Sequence, residues 1–175
     1  MSKDGTQGHD PDFPERVAEA LRVSGVEPKW LTLEITEHVL VTDATMSIRA
    51  MTELRRLGCR IAIDDFGTGY SSLAYLKRLP VDELKIDRAF VAALGQDPQD
   101  EIIVRATIDL GHQFGLMVTA EGVEDETALQ MLTAMGADSV QGFYLSRPVT
   151  GDGITTALDR QSLERTVPAP RLKVI

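Results

Sequence analysis

Short, mainly apolar runs alternate along the chain with longer stretches in which apolar residues recur every three or four positions. The short runs predict strands buried on both faces of a sheet, because they are too short for helices. They occupy residues 31–35, 61–63, 84–86, 117–120 and 139–140. The longer stretches predict helices, with apolar positions at Val17 and Leu21; Ala50, Leu54 and Leu57; Ile103, Ala106, Leu110 and Phe114; and Leu129, Leu132 and Met135. Strands and helices in this alternation predict βαβ units and a parallel sheet.

The number of predicted strands limits the architecture. Five strands suit either an open doubly wound sheet or part of a closed barrel, which needs eight strands in about 250 residues. The chain has 175 residues, enough for one domain. We predict a disordered leader or tag at 1–11, a domain at 12–165 and a tail at 166–175. Glycines 25, 58, 115 and 136 are predicted to end helices in the left-handed conformation.

Composition excludes several classes of protein. The net charge is −9 and the isoelectric point is about 4.8, which argues against a nonspecific DNA-binding protein. A nucleotide held through metal ions stays possible, because bound cations reverse the charge of a carboxylate cluster. Cys59 is the only cysteine, so no intramolecular disulfide is expected. No apolar run approaches the roughly 18 residues of a membrane span, and residues 1–10 lack a signal-peptide core. A cytoplasmic protein is predicted.

Polar residues occur at or just after the end of every predicted strand. Because the carboxyl ends of parallel strands share one face of the sheet, we expect these side chains to converge. They are Glu34, Asp64, Asp65, Lys85, Glu121 and Gln141.

This cluster indicates a metal site. Four carboxylates in close contact repel one another unless a cation lies among them, and oxygen-only ligands favour Mg²⁺, Mn²⁺ or Ca²⁺. Adjacent Asp64 and Asp65 could hold two ions at about 3.5–4 Å, an arrangement that suits phosphodiester hydrolysis. Lys85 could orient the attacking water or the phosphate, and Glu121 could accept the proton of that water.

Each residue taken alone also has a structural interpretation. An acidic residue at a strand end is more often a helix N-cap than a metal ligand, and we expect Glu124 and Asp125 to be caps. The segment Asp65-Phe-Gly-Thr-Gly could be a tight turn, and Lys85 a solvated charge. The functional hypothesis therefore depends on the coincidence at five strand ends.

At these residues the sequence resembles the EAL-type cyclic di-GMP phosphodiesterases of bacteria, from about residue 12 to about residue 163. The resemblance implies a (β/α)8 TIM-type barrel, cyclic di-GMP as substrate, and a two-metal site for Mg²⁺ or Mn²⁺. The matching segments are Leu33-Glu-Ile-Thr-Glu, Ile63-Asp-Asp-Phe-Gly-Thr-Gly-Tyr-Ser-Ser-Leu, Leu79-Pro-Val-Asp-Glu-Leu-Lys-Ile-Asp, Ala120-Glu-Gly-Val-Glu and Val140-Gln-Gly-Phe-Tyr-Leu-Ser-Arg-Pro.

The resemblance also implies a role for each residue. Glu34 corresponds to a ligand of the first metal, Asp64 to the bridging ligand and Asp65 to a ligand of the second metal. Lys85 corresponds to the residue that orients the catalytic water, and Glu121 to the carboxylate often assigned as base. Gln141 is similar to a contact near the metals. Glu37 is similar to the glutamate that anchors the loop after Asp65, and this loop, with the helix at 71–76, implies a homodimer.

Two segments of the family pattern are expected to precede residue 12. The Glu-Ala-Leu and Asn-Leu-Ser segments carry two metal ligands and a phosphate-binding arginine. The sequence therefore predicts a truncated barrel of about five parallel strands with surrounding helices, weak or inactive as a phosphodiesterase alone. The alternative is a noncatalytic cyclic di-GMP signalling or protein-interaction module.

A partial barrel is also expected to expose surface that a complete barrel covers. Open edges are predicted at strands 31–35 and 139–140, and uncovered apolar residues at Leu33, Ile61, Ile63 and Ile86. Such edges are templates for pairing with another chain, which is a second route to a homodimer.

Overall fold

The computed structural model describes residues 10, 12–37, 44–67, 76–148, 150, 153 and 173–174. Most of the predicted leader at 1–11 lies outside the described residues, as do residues 68–75 of the loop after Asp65 and the helix at 71–76 that were predicted to form a dimer contact. The helices are α1 (Phe13–Ser24), α2 (Ala44–Leu57), α3 (Arg88–Val91), α4 (Pro98–Gln113) and α5 (Glu126–Met135), with a 3-10 turn at Pro28–Trp30. The strands are β1 (Thr32–Thr36), β2 (Arg60–Phe66), β3 (Glu83–Ile86), β4 (Met117–Glu121), β5 (Ser139–Gln141) and β6 (Lys173–Val174).

All six strands form one parallel sheet in the order β1-β2-β3-β4-β5-β6. The predicted α/β fold with parallel strands and surrounding helices is confirmed. β6 lies within the predicted tail and pairs with β5 through Ser139↔Lys173 and Val140↔Val174. The prediction of an open edge at β5 is therefore wrong, whereas β1 does lie at an end of the described sheet.

The apolar strand residues face the helices. Ile61, Ile63 and Ile86 are at most 1% exposed and belong to the core cluster that also contains Met51 and Leu54 of α2. The prediction that these isoleucines line an uncovered barrel interior is wrong, whereas Leu33, the fourth residue of that prediction, is half-buried. Side chains alternate across a strand, so the opposite face carries polar residues instead. Those residues include Glu34, Asp64, Lys85, Thr119 and Glu121.

Helix α4 buries a different face from the predicted one. The buried residues are Val104, Thr107, Ile108 and Gly111, one position out of phase with the predicted stripe. A Cβ atom on Gly111 would lie 2.4 Å from Cγ2 of Val118 on β4. The absence of a side chain at Gly111 therefore brings that face of α4 against the sheet. Of the predicted stripe, Ile103, Ala106 and Phe114 are exposed and Leu110 is half-buried.

The helix ends agree with the sequence. Gly25, Gly58, Gly115 and Gly136 all have φ between 70° and 99°, the left-handed conformation that was predicted. Asp125 caps α5 by accepting a hydrogen bond of 2.8 Å from the Ala128 amide. No helix in the described part of the chain combines the length and the apolar composition that a membrane span requires.

Candidate active site

Lys85 lies at the centre of the polar face at the carboxyl ends of the strands. Its Nζ is 2.6 Å from Oε1 of Glu34, 2.5 Å from Oε1 of Glu121 and 3.4 Å from Oδ1 of Asp64. The residue is only 5% exposed. Carboxylates from β1, β2 and β4 therefore share one ammonium group supplied by β3.

A β-bulge brings Asp65 onto the same side as Asp64. On a regular strand two adjacent side chains would point to opposite faces. In β2, Ile63 pairs with Leu84 but Phe66 pairs with Ile86, so β2 has one more residue than β3 over this interval. Asp65 has a φ of 54°, the one described non-glycine residue with positive φ. As a result, one carboxylate oxygen each from Asp64, Asp65 and Glu121 lie within 4.8 Å of one another.

The hydrogen bonding of Asp64 fits a cation ligand. Its Oδ1 is buried and has no hydrogen-bond partner among the described residues. The contact with Lys85 at 3.4 Å is too long for a good charge-assisted hydrogen bond, which is typically about 2.7–2.9 Å. Buried polar atoms are almost always paired, so an unsatisfied one indicates a partner from outside the polypeptide, such as an ion. The all-oxygen donor set of Asp64, Asp65 and Glu121 fits Mg²⁺, Mn²⁺ or Ca²⁺.

Two carboxyl groups of the site, those of Asp65 and Glu121, have raised pKa values. Burial, a hydrogen bond with Asp87 and the charges of Asp64, Asp87 and Glu121 raise the pKa of Asp65 to about 6. Burial also raises the pKa of Glu121, although Lys85 opposes the shift. For Lys85, burial lowers the pKa, but the contacts with Glu121 and Glu34 dominate together and the net shift is upward. One ammonium group therefore does not neutralise the cluster.

Asp87 is a further member of the site that had no role in the sequence analysis. Its side chain accepts a 2.6 Å hydrogen bond from the Ala89 amide at the start of α3, and it also hydrogen-bonds to Asp65. The signal was available in the sequence, since Asp87 directly follows β3 and is two positions after Lys85. An N-cap was the ordinary interpretation of such a residue, and here the same side chain makes both contacts.

The remaining predicted residues surround this centre. Glu34 contacts Lys85 and lies outside the group formed by Asp64, Asp65 and Glu121; its side chain is 49% exposed. Glu37 is buried, and its Oε2 accepts a 3.1 Å hydrogen bond from the Gly67 amide in the turn after β2.

Gln141 lies at the rim of the site. It pairs in register with Glu121, its side chain is exposed, and its carbonyl accepts a 3.1 Å hydrogen bond from the Val123 amide.

The model of the EAL domain family matches residues 2–148. The chain belongs to this family. It is 45% identical over 144 residues to MucR of Pseudomonas aeruginosa, named as a bifunctional diguanylate cyclase/cyclic di-GMP phosphodiesterase, covering 82% of this chain and 21% of MucR. The chain spans about a fifth of the length of these curated relatives.

Solved EAL structures share the fold. The MucR phosphodiesterase in complex with c-di-GMP has a TM-score of 0.83 and 44% identity, over 86% of this chain and 61% of that one. The EAL domain of Mycobacterium smegmatis DcpA has a TM-score of 0.80 and 48% identity, over 85% and 67%. Klebsiella pneumoniae BlrP1 with manganese and cyclic di-GMP has a TM-score of 0.76 and 32% identity, over 82% and 36%.

The tripeptide Glu-Ala-Leu does occur in this EAL chain, at residues 19–21, but in an unrelated position. It lies in the middle of helix α1, where Glu19 forms an exposed ion pair of 2.5 Å with Arg22. A helix surface position does not supply a ligand at the carboxyl ends of the strands. The occurrence therefore does not replace the strand segment that the family resemblance places before residue 12.

Proposed function

We propose that this chain carries the carboxyl-terminal part of a metal-dependent cyclic di-GMP phosphodiesterase site. The observation that supports this most directly is the group of Asp64, Asp65 and Glu121 oxygens within 4.8 Å, beside Lys85. MucR and BlrP1, which share its family and fold, are described in complex with cyclic di-GMP. The proposed reaction is hydrolysis of one phosphodiester bond to give the linear dinucleotide.

Glu34, Asp64 and Asp65 are the residues proposed to hold divalent cations, and a Glu121 oxygen lies within 4.8 Å of the two aspartates. The unsatisfied Oδ1 of Asp64 and the raised pKa of Asp65 both indicate that the cluster is short of positive charge. A bound Mg²⁺ or Mn²⁺ would balance that charge and acidify a coordinated water. Asp64 is the proposed bridging ligand in a two-metal site, because its buried Oδ1 has no hydrogen-bond partner among the described residues.

Lys85 and Glu121 are proposed to act on the water and the phosphate. The buried ammonium of Lys85 is a fixed donor that can orient an attacking water or a phosphate oxygen. Glu121 can accept the proton of that water, and its raised pKa makes it a stronger base than an ordinary carboxylate. Glu37 is proposed to maintain the turn after Asp65 through its bond to Gly67, and Gln141 to contact the substrate or the ligand cluster at the rim.

We further propose that these 175 residues alone hydrolyse cyclic di-GMP slowly or not at all. The family resemblance assigns two metal ligands and a phosphate-binding arginine to segments that this sequence does not contain. A cation held by fewer ligands binds more weakly and is less well fixed for acidifying water. Binding of cyclic di-GMP without turnover would favour the alternative of a noncatalytic signalling module.

The test is a hydrolysis assay with Mn²⁺ and with Mg²⁺, in which the linear dinucleotide is separated from cyclic di-GMP by chromatography. We expect turnover below the ordinary enzyme range of about 1–10³ s⁻¹. Asp64→Asn should remove any metal-dependent turnover, whereas the matched control Asp109→Asn, exposed on α4, should not. Metal-dependent product that exceeds the metal-free background and is equal for the wild type and Asp64→Asn would overturn the proposed site.

A further inference from the structure

The turn after β5 is fixed against the loop after Glu121. The Val123 amide donates to the Gln141 carbonyl at 3.1 Å, and the Tyr144 amide donates to the Val123 carbonyl at 3.0 Å. A Cβ atom on Gly142 would lie 2.1 Å from the carbonyl oxygen of Val123 and 2.3 Å from its nitrogen. Only glycine allows this close approach, so the turn is held rigidly beside the acidic cluster.

This rigid turn presents an aromatic ring to solvent. Phe143 is 60% exposed, and the Arg147 guanidinium lies 5.9 Å from the centre of its ring. A single exposed apolar residue usually needs no explanation. Phe143, however, is two positions after Gln141, which pairs in register with Glu121 at the carboxyl end of the sheet. The rim of the site therefore holds a flat apolar face next to a cation.

We propose that Phe143 is the stacking surface for a guanine base of the substrate. Arg147 contacts the ring and supplies a positive charge beside the negatively charged nucleotide. This inference rests on the proposed function, because it requires a nucleotide at the acidic cluster. Aromatic rings bind bases through their π-faces, and a guanidinium strengthens such an arrangement by cation–π contact. The stack makes the same contact in the bound substrate and in the transition state. Phe143 is thus a substrate-binding residue whose loss weakens the binding of cyclic di-GMP.

The test is calorimetry, which measures the equilibrium binding of cyclic di-GMP to the full chain in the presence of Mn²⁺. Phe143→Ala should raise Kd about 5- to 150-fold, the equivalent of roughly 1–3 kcal/mol for one base–aromatic stack. Phe143→Trp should keep wild-type affinity, and Arg147→Gln should weaken binding by a smaller factor. Phe114→Ala is the matched control, because Phe114 is 37% exposed on the distant end of α4.

A fluorescence measurement reports the contact itself. Trp30 is the only tryptophan, so Phe143→Trp in a Trp30→Phe background places the single indole at the proposed stack. Cyclic di-GMP should quench its emission with the Kd found by calorimetry, a response that a purely structural role would not give.

These experiments distinguish failure of the Phe143 inference from failure of the proposed function. Wild-type binding that is unchanged in Phe143→Ala, or ligand without effect on the indole, would overturn this inference and leave the proposed function intact. A wild-type chain that neither binds nor hydrolyses cyclic di-GMP would overturn both.

Discussion

Lys85 on β3 donates a hydrogen bond of 2.6 Å to Glu34 on β1, with the whole of β2 between them in the sheet. The same ammonium also contacts Glu121 at 2.5 Å on the neighbouring strand β4. Lys85 therefore ties together strands on both sides of β3 on the polar face, and in the absence of a metal ion it is the cation that holds the carboxylates close. This contact connects the stability of the sheet to the chemistry of the site.

Replacement of Lys85 by methionine is expected to destabilise the metal-free protein. Removing one partner leaves buried acidic groups without their counter-charge, and we expect a loss of about 1–3 kcal/mol at pH 8. The net upward pKa shift means that Lys85 is fully charged there, so its whole contribution is present. The deficit should shrink at pH 5, because the carboxylates can then take up protons.

Urea unfolding at the two pH values measures this effect. Lys77→Met is the control, since Lys77 is exposed and should change stability little at either pH. A deficit for Lys85→Met that is independent of pH would show that lost packing, and not charge, is responsible.

Metal binding is expected to weaken as the pH falls through about 6. The pKa of Asp65 is raised to about 6, so protons compete with the cation for this carboxylate below that pH. For one such group, affinity should fall about tenfold for each pH unit below the pKa. The raised pKa of Glu121 shifts the dependence in the same direction.

Calorimetric titration with Mn²⁺ at pH 8 and pH 5 tests this expectation. The wild type should bind at least about ten times more weakly at pH 5. Asp65→Asn should bind weakly at pH 8 and show a flatter dependence, because the competing proton site is gone. Identical wild-type affinities at the two pH values would show that no metal ligand takes up a proton between them, contrary to the raised pKa of Asp65.

Gly142→Ala is expected to destabilise the protein and to disturb the rim of the site. The added methyl would overlap backbone atoms of Val123, which cannot move aside as a side chain can. Forced overpacking of this kind costs about 1–3 kcal/mol. Gly136→Ala is the comparison, because Gly136 has a φ of 86° but a Cβ atom added there would meet no neighbouring atom within 4 Å.

Thermal unfolding of the two glycine variants separates the cost of steric overlap at Gly142 from the cost of a left-handed backbone at Gly136. Gly136→Ala should lose only the roughly 1 kcal/mol of a left-handed residue, while Gly142→Ala should lose more and should also weaken cyclic di-GMP binding. Equal effects of the two variants on binding would show that the turn after β5 is not part of the site.

The sequence predicted the strands and the convergence of the site residues for a physical reason. Strands buried on both faces leave continuous apolar runs, and the carboxyl ends of parallel strands share one edge. Two local features follow from pairing with distant residues and were not predictable. The bulge at Asp65 depends on the register with β3, and the phase of α4 depends on the close approach of Gly111 to Val118.

The strand Lys173–Val174 was also missed, because two residues after a proline-containing stretch carry no periodicity to detect. This strand, β6, changes the prediction that the chain pairs with a second copy at two open edges, because it covers the edge predicted at β5. The remaining edge is β1. Leu33 and Ile35 of β1 are only half-buried, whereas their partners Ile61 and Ile63 in β2 are fully buried.

We therefore expect the chain to self-associate reversibly through β1. An exposed edge of a sheet presents unpaired backbone groups to a second copy, and half-buried apolar side chains gain from being covered. Thr32→Lys places a charge at the exposed start of this edge and should reduce association. Thr133→Lys, at an exposed position of α5, adds the same charge elsewhere and should leave association unchanged.

Sedimentation velocity over a wide range of protein concentrations distinguishes the two variants from the wild type. The wild type and Thr133→Lys should show a weight-average sedimentation coefficient that rises with concentration, and Thr32→Lys should show a smaller rise. A wild-type chain that sediments as a compact monomer at every concentration would contradict pairing at β1. Equal association by both variants would instead place the contact on another surface, because only Thr32→Lys alters the β1 edge.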